Sequence, residues 1–408
     1  MIRNGKKKAI SCALVAAMSV GLVACGTTSY DFKVSYDGIK KGDVSSKVSV
    51  HDPSILKADG EYYIFGSHMS AAKSSDLLNW EKVADGYSKK NPVYGQIYDV
   101  ADEAFAYSGS KNSLIKTDDK QVHVWAPDVI YNETTGLYYM YYCTTSTWNA
   151  SNLCYGTSTT PEGPYEWQGA LIYSGFNRKT ISGTDVLDYV DEDYAYKNYI
   201  KGAQYNYEDY PNAIDPTVFY DADGRMWMVY GSWSGGIFLL EIDKTTGLVI
   251  HPEADKANNV DPYYGKRLLG GGHISIEGPY IMYVETSGYY YLFVSYGALT
   301  SNGGYQVRVF RSKTVDGEYV DMNGKYPEKS AQHQNYGLKL TGNYKLPSLE
   351  KAYMATGHNS AFVDDDGKMY LVYHTRFNDN GEGHSPRVHQ MLVNEDGWPC
   401  ELPYQTQG

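Results

Sequence analysis

Residues 51–67 read HDPSILKADGEYYIFGS, and this stretch decides the fold. A polar pair opens it, a short apolar run follows, and Asp59-Gly60 leads into a second run of aromatic and aliphatic residues. Asp-Gly between two apolar runs is a hairpin signal, because glycine adopts positive φ at little cost. The same grammar recurs four times: APDVIYNETTGLYYMYYC from Ala126, IDPTVFYDADGRMWMVYGS from Ile214, IEGPYIMYVETSGYYYLFVS from Ile276 and GHNSAFVDDDGKMYLVYHT from Gly357. Each copy predicts a β-hairpin opened by a polar residue: Asp52, Asp128, Asp215, Glu277 and His358. Successive opening residues stand roughly 60 to 90 positions apart, which leaves room for two further strands per unit. The expected fold is all-β, a five-bladed β-propeller over residues 46–408. Radial blades would turn their first strands to the axis, and the five opening residues would meet at one end of the central channel. A pair of β-sandwiches is the structural alternative.

Composition agrees with this. The 408 residues include 42 Tyr and 41 Gly, and short runs of Tyr, Val, Ile and Phe outnumber helical stripes. Aromatic and β-branched residues favour strands, so most tyrosines are expected to pack in sheets. The net charge of −12 argues against nucleic acid or an anionic membrane surface as a partner. A neutral glycan fits better, since aromatic faces stack on sugar rings. Residues 81–120 and 159–210 are long insertions rich in Tyr, Asp and Asn, expected as loops that wall a cleft.

The N-terminus reads as a leader. Arg3, Lys6, Lys7 and Lys8 precede an apolar run from Ala9 to Ala24. Leu22-Val23-Ala24-Cys25-Gly26 resembles a bacterial lipobox, which implies cleavage after residue 24 and lipidation of Cys25. Residues 25–45 then form a tether, and the domain is held at the outer face of a membrane by that lipid alone. Cys143, Cys154 and Cys400 carry no CxxC metal signature. Pairing of Cys143 with Cys154 stays open, with free buried thiols preferred.

The motifs HDPSI (51–55), WAPDV (125–129), AIDPT (213–217), IEGPY (276–280), GHNS (357–360) and VYHTR (372–376) together resemble glycoside hydrolase family 43, the five-bladed propeller hydrolases of arabinan and xylan. The resemblance spans nearly all of residues 46–400. FGSHMSAAKSSDLLNW, MVYGSWSGGIFLLEID and RVHQMLVNEDGWP resemble the endo-α-1,5-L-arabinanases of that family, especially the larger extracellular kind. The sequence stops soon after Trp398, so their additional C-terminal β-domain is not expected here.

The resemblance implies roles residue by residue. Asp52 is the general base, Asp215 orients the proton donor and raises its pKa, and Glu277 is the general acid. His358 faces a central metal ion, usually calcium. Glycoside hydrolysis needs two carboxyl groups, one protonated and one ionised, about 6.5–9.5 Å apart in an inverting enzyme. A neighbouring carboxylate and partial burial keep the donor protonated. His51, Trp125, Asp128 and Arg376 are candidate substrate contacts; the structural alternatives are a turn-capping Asp128 and a core Trp125. Calcium prefers oxygen ligands, so water would complete the shell around His358. His273, His374, His384 and His389 receive no role. The expected activity is cleavage of internal arabinan bonds by a monomer. The alternatives are an exo-acting arabinofuranosidase or β-xylosidase on the same acids, and a non-catalytic glycan-binding lipoprotein.

Overall fold

The structure is a computed structural model, and it describes residues 45–46, 48–99, 106–108, 123–145, 150–326, 336–346, 351–377 and 383–405. The leader at 1–24, Cys25 and all of the tether except Ser45 lie outside the described residues. No helix among the described residues is long and apolar enough to cross a membrane.

Five blades of four antiparallel strands follow in chain order, the first extended at its outer edge by a short parallel strand, Ser45–Ser46. Blade one is Ser54–Ala58, Glu61–Gly66, Ser70–Ser74 and Asn79–Ala84. Blade two is His123–Asn132, Leu137–Thr145, Ser151–Ser158 and Glu166–Ser174. Blade three is Thr217–Tyr220, Met226–Tyr230, Ile237–Ile242 and Gly265–Leu269, with short outer additions. Blade four is Ile276–Val284, Tyr289–Tyr296, Gln306–Ser312 and Leu338–Lys339; blade five is Met354–Val363, Met369–Arg376, Ser385–Val393 and Pro399–Gln405. The first strand of each blade touches the first strands of the blades on either side, so the five close a ring around the axis. The expected propeller is the observed one.

Apolar packing holds neighbouring blades together. Each of five core clusters joins two adjacent blades; Tyr62, Ile64 and Ala72 of blade one pack with Tyr370, Val372 and Val388 of blade five, for example. Most of the tyrosines serve here, and Tyr141, Tyr230, Tyr264 and Tyr291 have no exposed surface. Blades five and one meet through side chains. Ser360 Oγ donates to Pro53 O at 2.9 Å and accepts from Ile55 N at 3.1 Å, while Lys57 and Tyr62 both reach Asp364.

The channel end of each blade is built by one repeated bend. Asp52, Ala126, Asp215, Gly278 and His358 have φ of 56, 40, 55, 56 and 48°, all left-handed. Proline follows in four of them and Asn359 in the fifth. Proline offers no ladder donor, and pairing slips at this point in blades two, four and five, as at a β-bulge. Non-glycine residues pay ~1–3 kcal/mol for such a conformation and tend to hold it at functional sites. The bend corrects the sequence alignment: Asp52, Asp215 and His358 are equivalent, whereas Glu277 stands one residue before its bend and Asp128 two after.

The last or next-to-last residue of four of the five quoted repeats serves the next bend. The N–H of Ala126 donates to Ser67 Oγ at 2.9 Å, that of His358 to Ser295 Oγ at 2.7 Å and that of Asp52 to His374 Nδ1 at 3.2 Å. The N–H of Asp215 meets Cys143 in the same way. Cys143 and Cys154 are buried and not joined in a disulfide. They sit on opposite faces of blade two, one in each flanking core cluster, which keeps them from pairing.

Candidate active site

The five bends converge on one pit, and Asp52 is its most heavily partnered group. Its Oδ1 lies 3.1 Å from His51 Nε2, 3.1 Å from His358 Nδ1 and 3.6 Å from His374 Nδ1. Ser67 Oγ donates to the other oxygen. Burial disfavours the charge on Asp52, but the opposing imidazoles of His358, His51 and His374 and the Ser67 hydroxyl outweigh it, so the carboxyl is held far below its usual range. Asp52 is therefore ionised at neutral pH.

Glu277 is tuned in the opposite direction. Burial raises its pKa against the pull of His358 and the donors around it, and the Asp52 charge adds to the rise. Its Oε2 accepts from Ser232 Oγ at 3.0 Å and from Trp233 Nε1 at 2.8 Å. Tyr305 supplies a further side-chain hydrogen bond. Tyr305 reaches the site because Gly357 has no side chain; a Cβ there would stand 2.2 Å from the Tyr305 ring.

Asp215 lies beside the pair. Burial raises its pKa, His358 opposes this, and the Glu277 and Asp52 charges reinforce it. The Gly278 N–H donates to Asp215 Oδ2 at 3.2 Å, so the backbone beside Glu277 is tied to the third acid. His358 faces all three carboxyl groups, whose charges raise its pKa despite burial. Gly278 is the glycine among the five bends: its φ is +56°, and a Cβ would press on the His358 ring at 3.1 Å from Cγ.

The other predicted contacts divide. His51 and Trp125 hold, in blades one and two, the place before the bend that Glu277 holds in blade four. The Trp125 ring is partly buried against the core and lies 5.6 Å from the His123 ring. Arg376 is at the margin, where its Nη2 donates to His384 Nε2 at 3.0 Å. Asp128 is a correction. It is 3 % exposed, accepts from Ser54 Oγ of blade one and from Val218 N of blade three at 2.7 Å, and has no free face for a sugar. Its carboxylate pins three neighbouring inner strands, so it is structural.

Sequence reading missed Ser67, Ser232, Trp233 and Tyr305. Trp233 had a signal, since it stands in GSWSGG between glycines. That loop is left-handed at Trp233 itself, φ 57°. The insertion after blade two buttresses it, as Gly235 N donates to Tyr207 O at 2.9 Å and Asn212 Nδ2 to Ser232 O at 2.9 Å. Tyr305 had none, because no repeat position announces it. His389, left without a role, is a satisfied core histidine bonded to Tyr353 Oη and Leu402 O.

One carboxyl tuned far down and one tuned up, with a third acid beside them at the mouth of a propeller, define a glycoside hydrolase site. A family model described as "Glycosyl hydrolases family 43" matches residues 44–208 and 191–399. The extracellular endo-alpha-(1->5)-L-arabinanase of Thermotoga petrophila is 40% identical over 372 residues, covering 88% of this chain and 71% of that protein. The extracellular endo-alpha-(1->5)-L-arabinanase 2 of Bacillus subtilis is 37% identical, covering 90% and 72%. The crystal structure of endo-1,5-alpha-L-arabinanase from Thermotoga petrophila superposes with a TM-score of 0.72 at 38% identity, covering 90% and 76%. A family 43 glycoside hydrolase from Bacillus licheniformis gives a TM-score of 0.75 at 39% identity, covering 90% and 77%. The chain belongs to glycosyl hydrolase family 43.

Proposed function

We propose that this protein hydrolyses internal α-1,5-L-arabinofuranosidic bonds of arabinan with inversion. The carrying observation is the opposed tuning of two acids in one pit: Asp52 held ionised by its imidazole neighbours and Ser67, Glu277 pushed towards its protonated form by burial. Glu277 gives its proton to the leaving oxygen, Asp52 takes one from the attacking water, and Asp215 keeps Glu277 in place and protonated. Endo action is supported by the names of the relatives at 37–40% identity; a relative named as an exo-arabinofuranosidase is only 27% identical. The intact acid set speaks against a purely glycan-binding role. Glu277→Gln and Asp52→Asn should each lower release of oligosaccharides from linear arabinan by ~10²–10⁴-fold. Near-native activity in either variant overturns the assignment, and monosaccharide as the sole early product overturns endo action.

His51 and Trp125 are proposed as sugar contacts at the rim, with Arg376 beside them. Calcium is proposed at His358. Nδ1 of His358 faces Asp52, so the ring has one nitrogen left for an ion. Calcium takes six to eight oxygen ligands, and no group of three metal-ligating atoms among the described residues includes His358. Such an ion would be held by one imidazole and a shell of water, and it would supply positive charge to the pit. Loss of activity with chelator, restored by calcium, supports this; indifference to chelator overturns it.

Secretion is supported by relatives named as extracellular. Anchoring through a lipidated Cys25, on a monomer, completes the proposal. Metabolic labelling with a fatty acid, lost in Cys25→Ser, tests the anchor.

A further inference from the structure

We propose that His51, His374 and His384 form a binding site for a late first-row divalent ion such as Zn²⁺, separate from the proposed calcium position. Each offers a ring nitrogen, and the three nitrogens lie within 4.8 Å of one another. They come from rigid places: the approach to the first inner strand, the second strand of blade five and the entrance to its third strand.

A second observation points to a ligand. His374 has no exposed side-chain surface, and its Nε2 has no hydrogen-bond partner among the described residues. His374 Nδ1 accepts the Asp52 N–H, so Nε2 carries the ring proton; ligation shifts that proton to Nδ1, where Asp52 Oδ1 stands 3.6 Å away, and frees the buried Nε2 for an ion. His51 repeats the pattern, since its Nδ1 is also buried and unpartnered while its Nε2 faces Asp52 at 3.1 Å. A carboxylate behind the far nitrogen is the usual support of a metal-bound histidine. The ring edges converge: His374 meets His51 edge-on at 4.9 Å and His384 edge-on at 4.7 Å.

Ligand chemistry selects the ion. Three imidazoles suit Zn²⁺, Ni²⁺ or Cu²⁺ and not Ca²⁺, which takes oxygen. A cavity of about 390 Å³, lined by His51, His68, Ser67 and His384 among others, provides entry and room for a water as fourth ligand. Binding asks two adjustments besides that proton shift. His51 and His384, stacked at 3.7 Å, must splay, and Arg376 must release His384 Nε2.

The test uses tag-free protein saturated with Ca²⁺. Titration calorimetry with Zn²⁺ should give one equivalent, and Co²⁺ should give the intense visible bands of a tetrahedral nitrogen site. His384→Ala should weaken Zn²⁺ binding by more than about tenfold, and His358→Ala should leave it in place. The Co²⁺ spectrum of the unsubstituted protein decides the matter even if His384→Ala fails to fold. Absence of the tetrahedral bands, an unchanged Zn²⁺ affinity in folded His384→Ala, or loss of the equivalent in His358→Ala overturns the proposal.

Discussion

The indole N–H of Trp233 donates to Glu277 Oε2 at 2.8 Å. A donor stabilises the charged carboxylate, so this bond works against the burial that keeps Glu277 protonated. In Trp233→Phe the Glu277 pKa should rise. The alkaline limb of the kcat/KM profile should move to higher pH, and the rate at the optimum should fall about tenfold as the carboxyl loses its fixed orientation. A pH profile measured on linear arabinan checks both signs; an unmoved limb refutes the coupling.

Asp215 acts on the same limb with the opposite sign. Charge on Glu277 raises the Asp215 pKa, and by reciprocity charge on Asp215 opposes ionisation of Glu277. Asp215→Asn removes the repulsion, so Glu277 should ionise earlier and the alkaline limb should move to lower pH. The circular dichroism melt should stay close to that of the parent, which separates this effect from unfolding.

Asp128 should matter for stability and not for the turnover of folded protein. Asp128→Ala leaves the Ser54 hydroxyl and the Val218 N–H buried without an acceptor, at a cost of about 2–4 kcal/mol. Burial pushes the Asp128 carboxyl up to about 7. A carboxyl with a raised folded pKa binds more protons folded than unfolded, so its contribution is full below the unfolded pKa and is lost as pH rises towards 7. The melting temperature of the parent should therefore fall between pH 5 and pH 8 by more than that of Asp128→Asn. Equal slopes would count against this.

Gly278→Ala places a methyl against His358 on a left-handed backbone. We expect a loss of roughly 1–3 kcal/mol in stability and a larger fractional loss of activity, because His358 is displaced from Asp52. Denaturant melts and initial rates on one preparation measure the two effects.

Much of this site was legible because the repeat carries its own punctuation. Asp52-Pro53 and Asp215-Pro216 stand at true equivalents, and proline marks the bend. Glu277 was found through the IEGPY motif, although repeat counting put it one residue out of register; the bend belongs to Gly278. Asp128 was misread for the same reason, because identity of residue type does not reveal a shift of two positions, and two positions along a strand preserve the face while changing the depth in the channel. Trp233 and Tyr305 come from loops whose paths depend on the long insertion and on the space left by Gly357. No local pattern specifies such contacts. His374 and His384 were invisible as a pair, since only the return of blade five to blade one brings them beside His51.

The five-fold bend is, in effect, an address system. Main-chain geometry fixes where a side chain enters the pit, and the residue type decides only which chemistry is delivered there. Four addresses carry Asp, Asp, His and the glycine beside Glu277; the fifth, Ala126, delivers a bare methyl. Position 126 thus keeps the strained main-chain geometry of the ring while delivering no titratable group.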